Sequence, residues 1–166
     1  MKRTTLLVTV GVSVLALLAI VVGAALAKTP SGVKATPVTA TQITRATLGK
    51  FAAENKGVKV QSERTSADFA IVKVVIEPGG STGWHHHPGV VLVSVGSGTV
   101  TEYDPQCHKS VYKAGKGFVE SNSAVHLVRN EGNVKAVLYP TYLVPTATPP
   151  EGLNISDPQP KGCHKH

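Results

Sequence analysis

Apolar runs rich in β-branched residues, cut at short intervals by Gly and Pro, constrain the fold of this 166-residue chain most strongly. Residues 67–77 form one such run, which stops at a Pro-Gly-Gly turn, and residues 90–95 form another, which stops at Gly-Ser-Gly. Shorter runs follow as far as residue 143, and no long stretch has helical periodicity. Short strands separated by such turns predict an all-β fold, either a sandwich or a barrel.

The N-terminal segment, residues 1–27, is separate from this β pattern. Lys2 and Arg3 precede an uncharged stretch that is dominated by Leu, Val and Ala and ends in Ala-Leu-Ala. This pattern is typical of a cleaved signal peptide, but the apolar stretch at residues 4–27 is also long enough for a transmembrane helix that anchors the chain. Both alternatives place the remaining chain outside the cytoplasm, either secreted or anchored to the membrane.

The rest of the chain divides by composition into three parts. Residues 28–44, rich in Thr, Ala, Pro and Lys at their start, are predicted to be a flexible linker. Residues 45–145 are the predicted β-domain, although residues 42–55 could begin it with either a short helix or a strand. Residues 146–166 are rich in Pro and are predicted to be an extended tail on the surface.

The charge and the two cysteines bear on the surroundings of the protein. The formal charge is +7, but the basic residues are scattered, so we expect no nucleic-acid partner. Cys107 and Cys163 are the only cysteines, and in an oxidising compartment they favour a disulfide. A histidine follows each cysteine, which leaves a thiolate–imidazole metal site or free thiols as alternatives.

The histidines carry the clearest functional signal. In a strand, His85 and His87 would face the same side and His86 the other. Two such imidazoles can bind one divalent transition metal ion, whether Zn, Fe, Mn, Cu or Ni, if a third ligand comes from elsewhere. His126 is the candidate third ligand because it lies in an apolar segment, where a buried imidazole needs a partner. Each histidine taken alone could instead be an ordinary hydrogen-bonded residue.

The spacing of these histidines resembles two sequence motifs of the cupin superfamily. The first motif has Gly, His, His, Glu and Gly at set positions, which are here Gly79, His85, His87, Val91 and Gly98. The second motif has Gly, Pro, Gly, His and Asn, which are here Gly115, Ser121, Ser123, His126 and Asn130. The chain therefore departs from the pattern at the motif Glu and at the Pro and Gly of the second motif.

This resemblance implies an antiparallel jelly-roll barrel, also called a double-stranded β-helix, with a metal ion inside it. By position, His85, His87 and His126 are the implied metal ligands. Val91 replaces the family's glutamate and would line the pocket, and Glu120 is an alternative source of the carboxylate. Three-histidine sites are also known among cupin dioxygenases, so the missing motif glutamate does not exclude catalysis.

Three further residues have two interpretations each. Trp84 could wall the metal pocket or could be a core aromatic residue. Arg129 and Tyr103 could contact an anionic ligand, but nothing in the sequence places them in the pocket.

Three functions remain open at this stage, and no catalytic residue is assigned. The first is a metal-dependent oxygenase or isomerase that acts on a small anionic or phenolic molecule. The second is a non-catalytic module at the cell envelope that binds a metal ion or a small ligand. The third is a structural remnant that keeps the barrel without tight metal binding. A homodimer is compatible with each, and membrane contact is expected only through an uncleaved N-terminal segment.

Overall fold

The computed structural model of the chain describes residues 38–120 and 124–163. The predicted signal peptide or anchor and the motif positions Ser121 and Ser123 lie outside these ranges. The described part forms strands and a single 3₁₀ turn, Pro150–Gly152. The strands are β1 (Val38–Asn55), β2 (Val58–Ile76), β3 (His85–His86), β4 (Val90–Ser97), β5 (Thr99–Tyr103), β6 (Lys109–Lys113), β7 (Gly117–Glu120), β8 (Leu127–Arg129), β9 (Ala136–Pro145) and β10 (Ile155–Ser156). The prediction of an all-β fold is confirmed.

Two curled sheets enclose the core. The larger sheet has the order β1-β2-β9-β4-β7, the smaller has the order β6-β5-β8, and β3 pairs with β10 beside them. All of these strand pairs are antiparallel. The core cluster takes residues from both sheets, such as Val72 and Val91 from the larger and Val100 and Val128 from the smaller. This arrangement is consistent with the jelly-roll that the resemblance implies.

Strict alternation along β4 shows how the sequence selects its inner face. Val91, Val93 and Val95 are buried, whereas the alternating Val90 and Leu92 are exposed. Successive side chains of a strand point to opposite faces, so an unbroken Val and Leu run still has only one buried side. The outward Leu92 pairs with the outward Val119 of β7, which leaves an apolar patch on the sheet exterior. The homodimer remains a prediction.

The first strand begins earlier than the composition suggested. β1 starts at Val38, inside the stretch predicted to be a linker, and residues 42–55 are strand and not helix. The cause is pairing with β2, whose register runs from Val38 opposite Ile76 to Asn55 opposite Val58. The two residues between these strands, Lys56 and Gly57, both have positive φ, as a tight two-residue hairpin turn requires.

The C-terminal segment is packed into the domain. Residues 146–163, which we call the C-terminal strap, contain the 3₁₀ turn and β10, and the Leu153 side chain is completely buried in the core. Cys163 forms a disulfide with Cys107, with 5.7 Å between the Cα atoms, which is an ordinary separation for such a bridge. The predicted disulfide is therefore present, and the strap is not simply a tail on the surface.

Within the described residues, no helix has the length and apolar character needed to cross a membrane.

Candidate metal centre

Backbone pairing brings His85 and His126 together. These two residues form an isolated antiparallel bridge in which each backbone N–H donates to the other's carbonyl at 2.9 Å. Such directly opposed residues carry their side chains on the same face of the sheet. The two imidazole rings lie 4.4 Å apart between centroids. The third ligand predicted from the sequence is thus placed by a cross-strand pair.

Strand alternation adds His87 to the same cluster and leaves His86 out. The His87 ring lies 4.8 Å from the His85 ring and 5.1 Å from the His126 ring. All three side chains are buried, whereas His86 is partly exposed and contacts Asp157 on the strap. The expected division of the three consecutive histidines between the two faces is confirmed.

Each clustered imidazole is oriented by a hydrogen bond to a backbone carbonyl. The Nδ1 atom of His85 lies 2.9 Å from the Gly83 oxygen, and that of His126 lies 2.8 Å from the Ala124 oxygen. The Nδ1 atom of His87 lies 2.7 Å from the carbonyl oxygen of Leu153 in the strap. Because a carbonyl only accepts, Nδ1 must carry the proton in each ring, which leaves the Nε2 lone pair free to bind a metal ion.

The ligand nitrogens of the three histidines also lie close together. One ligand nitrogen from each of His85, His87 and His126 lies within 4.8 Å of the other two. The Nε2 atoms of His87 and His126 are fully buried and have no hydrogen-bond partner. An unpartnered buried polar atom is costly, and a shared metal ion would remove that cost for both. The three residues therefore fit a divalent transition metal ion.

Glu120 supplies a carboxylate that the motif does not provide. Its oxygens lie 3.0 Å from Nε2 of His87 and 3.2 Å from Nε2 of His126. With Nδ1 protonated and the ring neutral, each of these Nε2 atoms directs a lone pair toward the carboxylate. A metal ion bound by all three groups would replace this repulsion with attraction. Glu120 of β7 stands directly opposite Val91 of β4, which occupies the motif glutamate position. The carboxylate of this site therefore lies on β7, opposite the motif position on β4.

The charge states of this cluster favour a cation. Burial, with a further contribution from His126 and His87, lowers the pKa of His85 from 6.5 to about 3. Burial raises the pKa of Glu120, but the imidazoles of His126 and His87 outweigh burial and hold that pKa below its ordinary 4.5. Burial lowers the pKa of His126, whereas Glu120 outweighs burial and leaves that pKa above 6.5. At neutral pH, His85 is therefore neutral and Glu120 is ionised, and these are the forms that bind metal ions. Glu120 favours a proton on His126 because it is an anion, and a metal ion bound beside the same carboxylate would displace that proton.

A small cavity adjoins the histidines. His85, His87 and Glu120 line it, together with Tyr142 and Asn154 and a set of apolar side chains. The space open to the centres of water-sized molecules is about 30 Å³, whereas a single water needs about 10–15 Å³ by this measure. Burial, followed by repulsion from Glu120, raises the pKa of the Tyr142 phenol, which keeps its proton and donates to the Asn154 side chain at 3.3 Å. The cavity can therefore hold a ligand of a few atoms next to a metal ion.

Other predicted site residues lie outside this cavity. Trp84 is fully buried in a second apolar cluster with Tyr103, and the Tyr103 hydroxyl binds Glu131. Arg129 pairs with Ser81 and does not line the cavity. The expectation that Val91 lines the pocket is wrong: Val91 shares the inner face with Glu120, but it is packed within the core cluster and does not line the cavity.

The second-motif Asn130 has a structural role. Its side-chain amide donates to the backbone oxygens of Ile76 and Val134 at 2.9 and 2.7 Å, and its Oδ1 accepts from Gly132 N at 3.0 Å. Asn130 is completely buried, so these bonds fix the turn that follows β8.

Sequence reasoning missed Tyr142, Leu153 and Asn154 as parts of the site. Alternation could have placed Glu120 on the inner face, since it lies two residues after the buried Phe118. No comparable signal exists for Leu153, because its contribution is a backbone carbonyl far along the chain from His87.

Comparison with known proteins shows similarity to cupin structures at low sequence identity. An oxalate oxidase is 19% identical over 53% of this chain, with a TM-score of 0.45, and the chain spans 45% of that protein. The polyketide cyclase RemF from Streptomyces resistomycificus is 17% identical over 45% of this chain and 54% of its own, with a TM-score of 0.42. A cupin domain from Bordetella pertussis Tohama I is 18% identical over 68% of this chain and 98% of its own, with a TM-score of 0.47.

No curated protein matches this chain significantly. The family model for the Cupin domain matches residues 72–142, a range that contains every motif residue from Gly79 to Asn130. Residues 72–142 are therefore identified as a cupin domain.

Proposed function

We propose that this protein is an exported cupin that holds one divalent transition metal ion with His85, His87, His126 and Glu120. The observation that carries this proposal is the set of three buried imidazoles whose Nδ1 atoms are engaged by backbone carbonyls and whose ligand nitrogens lie within 4.8 Å of one another. The buried carboxylate of Glu120 supports a fourth ligand. The Cys107–Cys163 disulfide supports an oxidising compartment outside the cytoplasm.

A bound divalent ion would act as a Lewis acid and would activate water or a bound ligand. With three neutral imidazoles and one carboxylate, such a site keeps a net positive charge, which favours an anionic ligand. The cavity of about 30 Å³ favours a small carboxylate over a phenolic ring. The Tyr142 hydroxyl and the Asn154 side chain line the cavity and can orient that ligand. We therefore favour an oxygenase or isomerase that acts on a small anion.

Metal content tests the first part of this proposal. The purified protein should hold close to one equivalent of metal by elemental analysis, and a variant with His85→Ala and His126→Ala should hold little. Glu120→Gln keeps the size of the side chain but removes its charge, so it should bind more weakly than the parent. A folded parent that takes up no metal when supplied with Zn, Fe, Mn, Cu or Ni would refute the metal centre.

Turnover separates an enzyme from a binding module. The metal-loaded protein is incubated with small carboxylates, and both dioxygen consumption and product formation are followed. An enzyme should lose this activity in the His85→Ala variant. Ligand-dependent thermal stabilisation of the loaded protein, without turnover of any carboxylate, would instead favour the non-catalytic module, since a ligand that binds only the folded state stabilises that state.

A further inference from the structure

The C-terminal strap supplies the only long-range hydrogen bond among the three that orient the clustered imidazoles. His85 and His126 each use the carbonyl two residues before them, so their orientation is local. His87 instead donates to the Leu153 carbonyl, which is 66 residues away. The orientation of one of the three imidazoles therefore depends on a segment that must first pack against the barrel.

The strap is fixed on both sides of Leu153. Before it, the Asp68 carboxylate accepts from the Ala147 backbone N–H at 3.2 Å, and Arg45 bridges Asp68 and the Thr148 carbonyl. After it, β10 pairs with β3, with Ile155 opposite His86 and Ser156 opposite His85.

Three further anchors hold the strap: an apolar side chain, a contact between a histidine and a carboxylate, and a covalent bond. The Leu153 side chain is completely buried in the core cluster. The Asp157 carboxylate lies 2.6 Å from Nδ1 of His86, the neighbour of two ligands. The disulfide joins Cys163, at the far end of the strap, to Cys107 in the loop between β5 and β6. These anchors hold the Leu153 carbonyl in place beside Nδ1 of His87.

We propose that the C-terminal strap is a positioning element of the metal centre, in which the Leu153 carbonyl orients His87 and the Cys107–Cys163 disulfide keeps the strap in place. This inference rests on the proposed metal-binding function. Partners that orient a ligand histidine commonly change metal affinity by about 10- to 100-fold when they are lost. The strap thereby makes metal retention depend on a bridge that forms only in an oxidising compartment.

Metal titration of three full-chain variants tests this role, with Zn²⁺ as the probe and a competing chelator to set the free concentration. Leu153→Ala removes the apolar anchor, and Cys107→Ala with Cys163→Ala removes the covalent one. Val95→Ala is the matched control, because Val95 is buried in the same core but does not line the cavity. Both strap variants should bind Zn²⁺ at least tenfold more weakly than the parent, and the control should stay within about twofold.

A second measurement uses the metal-free protein and reports on His87 directly. In ¹H–¹⁵N spectra, the Nδ1–H of His87 should give a slowly exchanging signal in the parent and in Val95→Ala. That signal should be lost or exchange rapidly in both strap variants, while the Nδ1–H signals of His85 and His126 persist. A merely destabilised fold would affect all three signals alike.

The outcomes separate the two proposals. Strap variants that bind Zn²⁺ within tenfold of the parent, or a control that weakens as much as they do, would overturn the positioning role. A parent that binds no metal would refute the metal centre, and the His87 signal would still decide the strap's role. Retention of that signal in both strap variants would overturn it.

Discussion

Removal of the disulfide should cost this domain a large part of its stability. Cys107 and Cys163 are 56 residues apart, so the bridge closes a long loop in the unfolded chain. The loop-entropy relation gives about 4 kcal/mol for a loop of this size. Dividing this free energy by an unfolding entropy of about 2.1 cal/mol/K for each described residue gives a fall of about 15 °C in melting temperature. A loss of about 4 kcal/mol in the free energy of unfolding is a large fraction of the total for natural domains, which is about 5–15 kcal/mol.

The assay is urea unfolding of the metal-free protein at pH 7, in the parent and in the variant with Cys107→Ala and Cys163→Ala. Alanine is chosen because Cys163 is buried against Trp84 and Leu127, where a serine hydroxyl would lack a partner. The buried Trp84 reports unfolding through its fluorescence. A loss of less than about 1 kcal/mol, with a normal dependence on urea, would refute the reasoning that the bridge restrains the unfolded chain.

Three further predictions concern the site and the turns that frame it. Because burial lowers the pKa of His85 to about 3, the folded metal-free protein resists a proton that the unfolded chain accepts near 6.5. The contribution of His85 to stability should therefore be complete above pH 6.5 and should fall by about 1 kcal/mol per pH unit between pH 6 and 5; His126, whose pKa is raised, acts in the opposite direction, so the slope is taken as the difference between the parent and His85→Ala in urea titrations, and no difference would contradict the prediction. Asn130→Ala should cost about 2 kcal/mol in urea unfolding, because the backbone carbonyls of Ile76 and Val134 lose the donor that the buried amide supplies. Asn130→Asp, which keeps the side-chain size but lacks the amide donors, should cost at least as much. Gly98→Ala should lower the free energy of unfolding by about 2 kcal/mol or more, because Gly98 has φ +75° and a Cβ there would lie 2.8 Å from the Cα of Ala136. A melting temperature equal to that of the parent would contradict this prediction.

The candidate site shows where prediction from the sequence succeeds. Alternation in a strand is a local property, so the sequence correctly placed His85 and His87 on one face and His86 on the other. The apolar segment around His126 made it a candidate, but only the motif resemblance implied that it joins the other two histidines, because nothing local specifies which strands become neighbours. The structure brings it to His85 by a backbone bridge.

The carboxylate of the site shows where such prediction is limited. The motif position that is a glutamate in the family is Val91 in this chain, and a valine side chain cannot bind a metal ion. The register of β4 and β7 places Glu120 directly opposite Val91, and that register is a long-range property of the sheet. The inner face therefore contains a carboxylate although the motif position is apolar.

The sequence by itself determined the all-β class, the spacing of the turns, the shared face of the paired histidines and the cysteines available for a bridge. Each of these follows from residue type and from the two-residue repeat of a strand, which act over a few neighbours. The tertiary structure decided which residues complete the site: Glu120 through strand register, and the Leu153 carbonyl through the packing of the strap. A backbone carbonyl is the same in every residue, so its role depends only on where the folded chain places it.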